Sequence, residues 1–131
     1  LNRKQKAQRI LAVQKQMQRI EDARLALLQG RLDRLENEQK DIIGVLNADG
    51  LYDARFVHTM SQRLRSLWES SKRTETAKDA QSQRVLERTR QVKHAERLSN
   101  NVSAVEDKAD AERQLRETIE LYLAAKDASL P

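Results

Sequence analysis

Apolar residues in the first third of the chain recur at alternating steps of three and four: Ile10, Val13, Met17 and Ile20, then Leu28, Leu32, Leu35, Ile42 and Leu46. That is heptad spacing, which lays a narrow apolar stripe along one side of a long helix. Between Ile20 and Leu28 the step is eight, with Arg24 in the gap. The spacing there predicts a four-residue stutter that locally unwinds a supercoil. The run Asn47-Ala48-Asp49-Gly50-Leu51-Tyr52-Asp53 is rich in residues that favour helix ends and tight turns, and Asp49 or Asp53 is placed to cap a following helix. The ladder resumes at Phe56, Met60, Leu64 and Leu67, with Val57 and Trp68 beside it. Glu69 to Arg84 is polar, offering only Ala77 and Ala80 to a seam. Leu86, Val92, Ala95, Leu98, Val102, Val105, Ala109, Leu115, Ile119 and Tyr122 continue the ladder from Val85. Ser99-Asn100-Asn101 and the capping-box spacing of Ser103 to Glu106 leave a helix restart open there.

The pattern predicts an all-α fold: an antiparallel two-helix coiled-coil hairpin with a longer C-terminal helix. The expected elements are a helix over 2–46, a turn over 47–53 and a helix over 54–127, in one domain. Two helices joined by a short turn run antiparallel. Pairing outward from the turn sets Leu46 against Tyr52, Ile42 against Phe56, Leu35 against Leu64 and Leu32 against Leu67. A rival register sets Leu32 against Leu98 and Leu28 against Val102. In the first register roughly 30 residues of the second helix extend past the first. That stretch carries Leu98, Val102, Val105, Leu115 and Ile119, a stripe that calls for a partner.

Composition supports thin helices over a thick core. Only 38% of the 131 residues are hydrophobic and 34% are charged, whereas a coiled-coil seam needs just two apolar positions in seven. The only proline is Pro131, so nothing in the preceding sequence forces a helix to break. Without cysteine there are no disulfides, thiolate metal sites or cysteine nucleophiles. No apolar run approaches the roughly 18 residues of a membrane span. Charge is uneven: Arg3, Lys4, Lys6, Arg9, Lys15 and Arg19 fall in a stretch without acids, while the last quarter is mildly acidic.

No catalytic, cofactor-binding or metal-ligating constellation is visible. His58 and His94 lie in no ligand pattern, and no glycine-rich phosphate loop is present. The chain therefore reads as a non-enzyme without a cofactor. The basic arm Arg3, Lys4, Lys6 and Arg9 is a docking candidate for an acidic surface. It is a weak candidate for nucleic acid, because it has no aromatic residue for stacking and overlaps the seam.

Three of the four aromatic residues (Tyr52, Phe56 and Trp68) cluster after the turn, together with Val57, Met60, Leu64 and Leu67. This apolar face is wider than a seam requires, which points to a docking patch that partly overlaps the core. Phe56-Val57-His58-Thr59-Met60, with Leu64 following, resembles the F-[IV]-x-T-[LM] stretch of the flagellar export protein FliJ and its injectisome counterparts of the YscO type. The texture of Val92 to Leu98 and of Glu112 to Leu115 is also similar to that family. Arg63 and Leu67 depart from it, standing where a small and a polar residue are expected. The resemblance implies a cytoplasmic stalk, peripheral to the inner membrane, that links a hexameric export ATPase to an export gate. It implies gate contact through Phe56 and Met60, and no nucleotide chemistry in the stalk itself; Tyr52 and Leu64 join them as partner-binding candidates of the patch. The alternative reading is a self-associating structural coiled coil, a dimer or four-helix bundle of unrelated role.

Overall fold

The structure is a computed structural model that describes every residue except 49, 51, 130 and 131. It is all-helical among the described residues: α1 spans Arg3–Asn47 and α2 spans Ala54–Ala128, packed antiparallel as a helical hairpin. Asn2 starts α1 with a reciprocal cap. Its side-chain oxygen accepts from the Gln5 amide at 2.8 Å, and the Gln5 side chain accepts from the Asn2 amide at 3.3 Å. Asp53 caps α2, its carboxylate accepting from the Phe56 amide at 2.7 Å. Asp49, the other capping candidate, lies outside the described residues.

α2 runs unbroken through Ser99-Asn100-Asn101, so the helix restart left open there does not occur. Ser99 is buried against α1. Its burial there outweighs its weak helix propensity.

The two helices form two compact units. One comprises Gln16–Thr89 and the other Leu1–Lys15 with Arg90–Pro131. In the Gln16–Thr89 unit, α1 turns Gln18, Glu21, Leu25, Leu28, Leu32, Leu35, Gln39, Ile42 and Leu46 inward. α2 answers with Met60, Leu64, Leu67, Ser71, Thr74, Lys78, Gln81 and Val85. Leu67 is 2% exposed and Leu32 6%. In the other unit the inward positions are Lys4, Ala7, Leu11 and Gln14 from α1, against Val92, Ala95, Ser99, Val102 and Glu106 from α2.

These inward positions change the expected seam. On α1 they step by three and four from Lys4 to Leu46 without a stutter. Ile10, Val13, Met17 and Ile20 stand one position to the side and are 49%, 57%, 40% and 49% exposed. The Leu25, Leu28, Leu32 and Leu35 ladder sets the phase, and an unbroken helix carries that phase backward through Leu11 whatever stands between. Polar Gln14, Gln18 and Glu21 take the intervening places, where α2 offers polar groups to meet them. The Gln18 amide donates to the Thr89 hydroxyl at 3.2 Å, and the Gln81 amide donates to the backbone carbonyl of Glu21 at 3.0 Å and also to its carboxylate. The Gln39 amide donates to the Ser71 hydroxyl at 2.6 Å. No buried side-chain nitrogen or oxygen lacks a partner among the described residues, so the polar layers carry little of the usual burial penalty. Ala77 and Ala80, the expected seam positions, are exposed, and Thr74, Lys78 and Gln81 turn inward instead.

The register follows from the same contacts. Ile42 borders a groove with Met60, and Leu28 borders one with Ser70 and Thr74. Lys4 meets Glu106 and Asp107. The rival register, which would bring Leu28 to Val102, is excluded. Relative to the register paired outward from the turn, α2 is displaced by about one helical turn at Ile42, which meets Met60 rather than Phe56, and by more toward the start of α1, where Lys4 meets Glu106 and Asp107.

Candidate interaction surfaces

Two surfaces collect the residues singled out by the sequence, one in each unit. After the turn, the Tyr52 ring stacks on Phe56 with centroids 4.8 Å apart. Tyr52 and Val57 are exposed, while Phe56, Met60 and Leu64 are half-buried. Met60 lines an apolar groove with Ile42 and Val45, rimmed by the Arg63–Glu38 ion pair at 2.8 Å. Arg63 thus serves the hairpin as a cross-helix tie. Trp68 is 55% exposed, with the Lys72 ammonium 5.7 Å from its ring centroid. The patch divides by face: Leu64, Leu67 and Met60 close the seam, while Tyr52, Val57 and Trp68 remain available to another molecule.

The second surface lies where α1 begins. The Glu106 carboxylate accepts from the Lys4 backbone amide at 3.3 Å, satisfying a first-turn N–H that has no partner within its own helix. The Lys4 ammonium pairs with Asp107 at 3.2 Å, and Lys15 pairs with Glu96 at 4.0 Å. Of the basic arm, Lys4 is therefore engaged within the chain. Arg3, Lys6 and Arg9 are exposed and make no ion pair among the described residues.

Arg3 borders a groove whose other walls are Leu98, Asn101, Val102, Val105 and Glu106. Val102 is half-buried in the seam, whereas Leu98 and Val105 are 42% and 68% exposed and belong to the outer wall. Beyond Glu106, every described residue of α2 is exposed. This tail carries Leu115 at 61%, Ile119 at 49% and Tyr122 at 67% exposure, with Leu121 and Leu123 also open. The uncovered stretch begins at Asp107, beside Lys4, and is shorter than the sequence suggested because of the shifted register.

Sequence reasoning missed the polar seam. The signal was present: extending the Leu25, Leu28, Leu32 and Leu35 spacing backward lands on Glu21, Gln18, Gln14 and Leu11. The larger side chains one position away masked it.

No group of three or more His, Cys, Asp or Glu could hold a metal ion among the described residues. No helix of the described residues is long and apolar enough to cross a membrane. His58 and His94 are both exposed. No family model, curated protein or solved structure matches this chain.

Proposed function

We propose that this chain is a non-catalytic, stalk-like component of a flagellar or type III protein export apparatus. In this reading it is cytoplasmic, peripheral to the inner-membrane export machinery, and links a hexameric export ATPase to an export gate through its helix surfaces. The observation that carries the reading is the tail of α2 from Asp107 to Ala128, a helix extending past its partner with Leu115, Ile119 and Tyr122 uncovered. A stripe of this kind is characteristic of a docking element. The resemblance of Phe56 to Met60 to the FliJ and YscO family supplies the identity of the partners.

Pull-down with the export ATPase and the gate protein tests it. The wild-type chain is expected to retain both. Tyr52→Ala with Val57→Ala should weaken gate capture about tenfold while the helical circular dichroism is unchanged, because both side chains are exposed. These two are better probes than Phe56 and Met60, whose half-burial mixes docking with stability. Undiminished gate capture would remove the patch assignment, and failure to retain the ATPase would remove the stalk reading.

A further inference from the structure

The unit formed by 1–15 and 90–131 carries an apolar groove and an apolar tail, and the two match each other. The groove runs between Arg3 of α1 and Leu98, Asn101 and Val105 of α2. Heptad spacing continues its α1 wall from Arg3 through Lys6 to Ile10 and Val13. Ile10 and Val13 are 49% and 57% exposed. The same spacing continues the α2 wall from Leu98 and Val105 into the tail through Glu112, Leu115, Ile119 and Tyr122. The tail stripe therefore lies on the same side of α2 as the groove.

From the pairing of these two columns we infer that the tail of one molecule occupies the groove of a second copy, forming a two-fold dimer. Arg3, Lys6, Ile10 and Val13 are spaced three, four and three apart, and so are Glu112, Leu115, Ile119 and Tyr122. Set parallel, they place Glu112 against Arg3, Leu115 against the aliphatic stem of Lys6, Ile119 against Ile10 and Tyr122 against Val13. The charged pair is complementary, and the remaining pairs are apolar. The wider charge leans the same way: Arg3, Lys6 and Arg9 are exposed on the groove-bearing helix, and the tail from Asp107 to Ser129 carries six acidic against four basic residues.

The arrangement also closes. Lys4 lies beside Asp107 within one molecule, so the tail begins where α1 begins. A tail running parallel to the α1 of a second copy then requires the two copies to point in opposite directions, groove facing groove. One two-fold axis produces this, and both tails are covered at once. With Glu112 of each copy level with Arg3 of the other, both pairings are met without a gap or an overlap. The contact is small, so the dimer is expected to be weak, with a Kd on the order of 10 μM, and a tighter partner of the tail would displace the second copy.

Sedimentation equilibrium of the full chain from about 1 to about 300 μM reads the association directly. A monomer–dimer equilibrium that weakens as salt rises is expected. Arg3→Glu and Glu112→Arg should each raise the Kd about fivefold, and the two together should restore it. Ile119→Asp should abolish dimerisation without loss of helicity, since Ile119 lies in the exposed tail. The chain has no cysteine, so paired substitutions report the alignment cleanly. Ile10→Cys with Ile119→Cys should give an oxidised dimer, and Ala12→Cys with Ile119→Cys, on another side of α1, should not. A monomer across the whole range overturns the inference, even if another protein proves to cover the groove. Equal crosslinking of both pairs, or no rescue by the charge swap, overturns it as well. The inference is independent of the export reading, because a chain that captures no export ATPase would still dimerise.

Discussion

Glu21 and Gln81 show how a single polar pair sets the character of the seam. Gln81 is 5% exposed, and its amide reaches both the backbone carbonyl and the carboxylate of Glu21. Gln81→Ala removes the cross-helix donor from that carboxylate, leaving it only Arg24 at 3.5 Å, and should cost about 1 kcal/mol. Leucine at both positions replaces the pair with apolar packing and is expected to match or exceed wild-type stability. Urea denaturation followed by circular dichroism distinguishes the two outcomes, and a neutral Gln81→Ala would mean the pair contributes nothing. At the turn, Asp53→Ala removes the acceptor of the Phe56 amide and should lower stability by about 1 kcal/mol, whereas Asp53→Asn should largely preserve it. Thermal melts of the two variants side by side check the cap. Sequence named Asp53 as one of two cap candidates but did not name the Gln81 layer. A cap is recognised from neighbours along the chain, whereas a buried glutamine is explained only by what faces it across the seam.

The phase of α1 is an element-scale property and has an element-scale test. If the inward line is continuous, Leu11→Ala should destabilise measurably, by about 1–2 kcal/mol for a half-buried leucine. Ile20→Ala, which removes the same three carbons from an exposed place, should stay within about 0.5 kcal/mol. The reverse order in chemical denaturation would restore the stutter. Leu67→Ala, at the most buried apolar position, should be costlier than either, by about 2–5 kcal/mol. On α2 the polar run from Glu69 to Arg84 was legible as helix because it holds no glycine or proline. Its inward residues were not legible. Thr74, Lys78 and Gln81 have no apolar signature, and alanine at 77 and 80 drew attention to the wrong side.

For the molecule as a whole, stability and association should separate. The tail beyond Glu106 is exposed throughout its described length, so Leu115→Ser with Ile119→Ser should leave the melting transition within a few degrees of wild type. The same double variant should lose every interaction that uses the tail, whether with a second copy or with an export partner. A matched pair of experiments, a thermal melt and a concentration series in the ultracentrifuge, checks the separation. A large drop in melting temperature would show instead that the tail supports the fold of a single chain.

Helical class, antiparallel pairing, the turn and the excess length of the second helix were determined by the sequence. Each rests on local physics: the near absence of breakers, heptad spacing, and the propensities of Asn, Asp and Gly. The phase of the seam, the register and the identity of the outward stripes were decided only in the tertiary structure. Heptad spacing admits adjacent columns that differ by one residue; the Leu25, Leu28, Leu32 and Leu35 ladder favours one of them, and the facing helix accepts it through hydrogen bonds such as Gln81 to Glu21 and small buried side chains at Ala95 and Ser99. That choice turned Ile10 and Val13 from presumed core into surface, on the flank of α1 that continues from Arg3.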